Sequence, residues 1–137
     1  MSTQKEYTLI AIGAALGGVI RYGVEETIGK IFNGPIAIVC VNVLGCFIMA
    51  FGTGIIAKRG FMLVMSNFLL TGFCGGLTTF SSLVGGTRHL FETGSILSGI
   101  INLMVNVVFA FVAVCLGFYL SVGTYNPYRE GTESEKV

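Results

Sequence analysis

The sequence predicts an all-α membrane protein of four transmembrane helices, the third of them broken at mid-membrane. Three observations carry this. Only 11% of the 137 residues are charged, against about a quarter in a soluble domain, so the solvated surface of a globular fold is missing. Apolar residues make up 53% of the chain, and the mean hydropathy is +0.83. Four apolar stretches nearly exhaust the length, each near the roughly 20 helical residues that cross a bilayer core about 30 Å thick.

The first span runs from about Tyr7 to Ile28. The residues before it are mixed in charge and lead into it without a small-residue cleavage site, so no removable signal peptide is expected. Gly13-Ala-Ala-Leu-Gly17 within it is a small-xxx-small pattern that lets helix backbones approach closely, inside one chain or between chains. Near its end Arg21 lies four residues before Glu25, with Glu26 beside it, and this reads as a structural ion pair. The second span, Pro35 to Ala57, contains one amide, Asn42, about a third of the way in. The third runs from Phe61 to about Leu90 and the fourth from Ser95 to Val122. The connections, 29–34, 58–60 and 91–94, are short. Residues 1–137 therefore form a single four-helix membrane domain with a solvated tail at 123–137, and any activity must lie within the bilayer.

The third span is the informative one. Gly72-Phe-Cys-Gly-Gly-Leu-Thr-Thr-Phe-Ser-Ser-Leu-Val-Gly-Gly86 places glycines, threonines and serines around its midpoint, at Cys74 to Gly76. Such a stretch reads as a broken helix, which is tolerated at that depth only where it lines a cavity or is buried in protein. Carbonyls freed there can coordinate a cation. The alternative is an intact helix whose glycines serve packing and whose hydroxyls bond back to the preceding turn. In the fourth span Ser98, Asn102 and Asn106 recur at steps of four, followed by Ala110, so the three polar residues share a helical face. These asparagines, like Asn42, are either interhelical glue or donors along a hydrated path.

Other features exclude chemistry. No Asp or Glu lies in the middle of a span, which removes the usual proton-coupling carboxylate. His89, at the end of the third span, reads as interfacial and is assigned no role. Cys40, Cys46, Cys74 and Cys115 sit in apolar runs without metal or redox spacing and read as small hydrophobes. The net charge of +1 gives no sign of nucleic-acid binding. No catalytic residue is assigned, and no enzyme activity is expected. Of eight Lys and Arg, five (Lys5, Lys58, Arg59, Arg129, Lys136) fall on the side of the termini and three (Arg21, Lys30, Arg88) opposite. That bias is small enough for insertion in both orientations.

Gly-Phe-Cys-Gly-Gly-Leu-Thr-Thr-Phe-Ser at 72–81 resembles the signature of the Fluc (CrcB) fluoride channels. The likeness extends over all four spans, through Arg21-Tyr22, Val41-Asn-Val-Leu-Gly45 and Asn102-x-x-x-Asn106. It implies a subunit of the cell membrane that pairs antiparallel, in dual topology, and forms two fluoride pores. It further implies a structural sodium ion on the dimer axis, held by the backbone carbonyls of Gly75 and Thr78. A two-fold axis in the membrane plane can bring the same residue of two subunits together only near mid-depth. Fluoride is small and tightly hydrated, so a pore must replace its water with fixed donors and positive dipoles. Asn42, Asn102 and Asn106 would supply amides, Thr79, Ser81 and Ser82 hydroxyls, and Phe80 the positive edge of its ring.

Three positions depart from the family pattern. Leu83 stands where a second pore phenylalanine is usual, Gly86 where a glutamate is usual, and Ala110 where a serine or threonine is frequent. They keep open a weakly conducting or non-conducting subunit that pairs with a related chain as a heterodimer, beside the conducting homodimer. A coupled exporter of the small multidrug resistance type, also four short spans, lacks support without a carboxylate in the first span.

Overall fold

A computed structural model describes residues 3–32, 34–59 and 63–123, so of the tail predicted at 123–137 only Gly123 is described, as the end of a helix, and the loop residue Gly60 and the predicted start of the third span, Phe61, lie outside the described residues. The described residues are helical throughout, with no strand among them. Helix α1 spans Thr3–Ile31, α2 Gly34–Arg59, and α3 is one short turn, Leu63–Met65. A π-helical stretch, Ser66–Cys74, follows it and passes into α4, Gly75–Leu77, and then α5, Phe80–Glu92, and α6, Ile96–Gly123. Four stretches are long and apolar enough to cross a membrane: Thr3–Ile31, Gly34–Ile56, Ser66–Glu92 and Ile96–Val122.

The helices overrun the apolar spans that define them. Gly29 and Lys30, expected in a connection, are the last turn of α1, where Lys30 pairs with Glu26 at 2.7 Å. Lys58 and Arg59 likewise belong to α2, and Phe91 and Glu92 to α5. Apolarity marks contact with lipid, whereas the hydrogen-bond ladder continues until something stops it. Pro35 at the first turn of α2 suits a helix start, since its missing N–H would have no intrahelical acceptor there. At the end of α5 the stop is Gly94, whose φ of +84° is open to a residue without a Cβ. Ser95 N–H then reaches back to the Leu90 carbonyl and Gly94 N–H to that of Phe91, both at 3.1 Å. This is a Schellman closure, and it turns the chain directly into α6.

Packing rests on glycine. Gly13 and Gly17 of α1 lie against Gly72 and Gly76, backbone on backbone. A Cβ on Gly17 would overlap the Phe73 carbonyl and come within 2.8 Å of Leu77 N, and one on Gly76 would meet Ala14 Cα at 2.9 Å. The Gly13-x-x-x-Gly17 pattern and a second one, Gly72-x-x-x-Gly76, therefore face each other inside one chain. The widest helix pairing, α2 with α6, uses the same device, with Gly117 seated where a Cβ would be 2.7 Å from the Phe47 carbonyl and Gly54 against the Ser121 side chain. The fully covered apolar core is small, with Ala37, Val41, Cys74, Leu77 and Leu83 among its members, and most large apolar side chains point outward. Lipid or another chain must cover them.

Gly18, next to the seam, has open space where Gly17 has none. Gly17→Ala is expected to cost about 1–3 kcal/mol through forced backbone displacement, and Gly18→Ala almost nothing. Thermal unfolding of the purified variants in detergent checks the contrast.

Candidate functional site

The site begins where the third span loses its helical ladder. Thr78 (φ −78°, ψ 149°) and Thr79 (φ −146°, ψ 120°) are extended between α4 and α5. Thr78 still leans on the preceding turn, its N–H and Oγ1 both donating to the Cys74 carbonyl at 3.0 Å. Thr79 does not. Its N–H, which in a continuous helix would close on the Gly75 carbonyl, donates to Asn42 Oδ1 of α2 at 2.7 Å. Its carbonyl accepts from Asn42 Nδ2 at 3.1 Å. One side-chain amide thus satisfies both backbone groups of the extended residue, as a neighbouring strand would.

The network continues in two directions. Asn42 Nδ2 also donates to Asn106 Oδ1 of α6 at 2.9 Å. Thr79 Oγ1 accepts the Ser82 N–H at 3.1 Å, which caps α5, and contacts the hydroxyls of Ser82 at 3.1 Å and Ser81 at 3.2 Å. Asn42, Thr79 and Asn106 are 7%, 6% and 3% exposed, so this is buried polarity in a mostly apolar chain. One turn earlier on α6, Asn102 Nδ2 donates to Thr87 Oγ1 at 3.0 Å, and Thr87 Oγ1 to the Leu83 carbonyl at 2.8 Å. Leu83, 3% exposed, lies one turn before Thr87 on α5, so an aliphatic side chain is buried next to the hydroxyl that meets Asn102.

The predicted residues therefore divide. Asn42, Thr79, Ser81 and Asn106 are joined by hydrogen bonds, Asn102 forms a second buried bond with Thr87, and Leu83 is buried between. Phe80 is 75% exposed. Ser98, expected on the face of the two asparagines, is exposed, and its hydroxyl accepts from that of Ser95, just before α6. Ala110 is half-buried on α6, and a Cβ at Gly86 would touch Ile38 at an ordinary 3.5 Å.

Two residues gain roles that spacing did not give them. Thr87 is the partner of Asn102, and its place eight residues after Thr79 is the one signal that could have found it. Arg21 pairs with Glu25 at 3.7 Å, as its spacing implied, and its Nε also donates to the Gly76 carbonyl at 3.2 Å. A cation thus meets the carbonyl end of the helix that stops at Leu77, where the dipole is negative. No group of three His, Cys, Asp or Glu among the described residues could hold a metal, so the oxygens near the extended threonines are neutral ones, backbone carbonyls and hydroxyls. The carbonyl of Gly75 has lost its helical donor to Asn42, and Gly75 lies at the exposed surface with nothing beside its Cα.

Comparison with known proteins gives this geometry a family. Residues 8–118 match the model described as CrcB-like protein, Camphor Resistance (CrcB). The chain is 36% identical over 117 residues to the fluoride-specific ion channel FluC of Paracoccus denitrificans (strain Pd 1222), covering 85% of this chain and 94% of that one. It is 34% identical over 114 residues to FluC of Parabacteroides distasonis, covering 82% and 89%. It is 41% identical over 118 residues to FluC 1 of Rhodopseudomonas palustris (strain BisB18), covering 81% and 82%. A match over most of the chain, including every span and the residues around the extended threonines, shows that the protein belongs to the CrcB-like family.

Proposed function

We propose that this chain is a subunit of a fluoride-selective ion channel of the cell membrane, one that lowers cytoplasmic fluoride by passive export. The observation that carries the reading is the buried cluster of Asn42, Thr79 and Asn106 at the start of α5, in a span long enough to cross the bilayer. Its amides and hydroxyls, with the positive end of α5, are the dipoles a pore needs in exchange for the water of a small anion. The similarity to proteins named fluoride-specific ion channels identifies the anion. Hydrogen fluoride crosses membranes uncharged and ionises inside. An inside-negative potential then expels the anion with about 2.3 kcal/mol per charge per 100 mV, so no coupled fuel is required.

In this reading the third span is a helix broken at mid-membrane, and two copies pair antiparallel in dual topology around the break. Support comes from the exposed Phe80 ring and the exposed Gly75, neither covered by its own chain. Phe80 would offer its ring edge to a pore completed by the partner. Gly75 and Thr78 would hold a structural sodium ion through their carbonyls, which suit a hard cation. The freed Gly75 carbonyl fits that assignment. A second reading, a weakly conducting half of a heterodimer, is favoured by Leu83, an aliphatic side chain 3% exposed on the polar face of α5.

Liposomes containing this chain alone are expected to release fluoride, with no dependence on a proton gradient, when monitored by a fluoride electrode. No release from correctly assembled protein would leave only the non-conducting subunit. Phe80→Ile is expected to abolish release while the gel-filtration profile stays that of the parent. If Leu83 limits conduction, Leu83→Phe raises the release rate; an unchanged rate removes Leu83 as the reason to invoke a second chain.

A further inference from the structure

Away from the extended threonines, the second half of α2 stands apart from the start of the third span. α2 packs broadly on α6 but only lightly on the π-helical stretch, and a groove of about 210 Å³ lies between that stretch and α2. Ile48, Phe51, Ile55 and Ile56 form one wall, and Met65 and Leu69 the other. The lining is entirely apolar. These side chains are half-buried, apart from Met65 at 43% exposure, so the groove opens to the outside of the chain.

Its depth is that of one leaflet. At about 1.5 Å per residue, Ile56 lies about 4.5 Å and Ile48 about 16.5 Å before Arg59, the last residue of α2. Half of a hydrocarbon core about 30 Å thick covers the same distance. At its outer end the chemistry changes. The apolar span of α2 stops at Ile56, and the helix goes on to the adjacent basic residues Lys58 and Arg59. Basic residues directly beyond a span meet the headgroup layer and attract anionic lipid.

Water is a poor occupant, since it finds no partner on such walls; an apolar cavity of about 150 Å³ already stays dry and takes a hydrocarbon. A second protein face could fill the slot but would gain nothing from two neighbouring positive charges. An amphiphile with an apolar tail and an anionic head is complementary to both ends. We infer that this groove is a lipid site, which takes one acyl chain of an anionic phospholipid while Lys58 and Arg59 draw its headgroup. The inference does not depend on which ion the chain conducts.

The chain contains no tryptophan, so one introduced residue reports on the groove alone. Phe51→Trp keeps an aromatic side chain in the wall, and Phe111→Trp, at a position 67% exposed on α6, serves as the control. Each full-length variant is reconstituted in bilayers that mix phosphatidylcholine with phosphatidylglycerol, with bromine on the acyl chains of one or the other. Bromine quenches tryptophan on contact, so the two quenching curves give the relative affinity for the two headgroups. In Phe51→Trp, phosphatidylglycerol is expected to bind several-fold more tightly, up to about fivefold for each basic residue. In Phe111→Trp the two lipids are expected to quench alike. Adding Lys58→Gln and Arg59→Gln to Phe51→Trp should remove the preference and leave quenching by phosphatidylcholine. Should Phe51→Trp fail to fold, Met65→Trp at the exposed rim replaces it.

Absence of quenching by either lipid overturns the inference and assigns the groove to a second copy of the chain or another protein. Equal quenching in Phe51→Trp reduces the groove to ordinary bilayer contact and overturns the lipid selectivity. A preference that survives loss of both basic residues removes Lys58 and Arg59 from the site.

Discussion

Everything in this chain depends on one requirement: a backbone that turns extended within an apolar span must find its hydrogen bonds within the protein. Thr78 and Thr79 turn extended, and the three helices around them are arranged to receive what they release. Asn42 of α2 takes the N–H and the carbonyl of Thr79 together. Arg21 of α1 meets the Gly76 carbonyl on the other side. Thr79 caps the helix that restarts after it with its own hydroxyl. Each partner comes from a different direction, so the position of the extended residues is fixed by α1 and α2 as well as by their own chain.

The two sides of the interruption differ in charge character. The helix ending at Leu77 presents carbonyls, and the one starting at Phe80 presents N–H groups. A cationic side chain and the Gly75 carbonyl, whose helical donor is taken by Asn42, lie on the first side, and hydroxyls and amides on the second. The sorting follows the helix dipoles without any ionised residue near the second side. A single short interruption can in this way make neighbouring regions of opposite preference.

How much of this was legible in the sequence depended on the range of the interaction. Apolar run length and the shortage of charge identified four spans, because both report on solvent rather than on partners. The glycine- and hydroxyl-rich stretch drew attention to 72–86, and the threonines in it are the extended residues. Spacing put Asn102 and Asn106 on one face but also put Ser98 there, which sits too near the start of α6 to be buried. Helix ends were misjudged by a few residues, since Lys30 and Glu92 look like loop residues yet pair with acidic and basic neighbours one turn back. What could not be read was partnership across the chain. That Asn106 meets Asn42, that Thr87 meets Asn102 and that Arg21 reaches Gly76 are contacts over 64, 15 and 55 positions.

The glycine seam between α1 and the third span constrains how such a protein could move. Transport by alternating access requires one element to slide or rock past another, re-forming side-chain contacts at each stop. Along Gly13, Gly17, Gly72 and Gly76 there are no side chains to re-form, and carbonyls lie in the notches of the opposing backbone. Displacement along either axis drives main-chain atoms over one another. A scaffold locked in this manner is suited to a fixed passage that ions traverse, and poorly suited to a machine that carries cargo by changing shape.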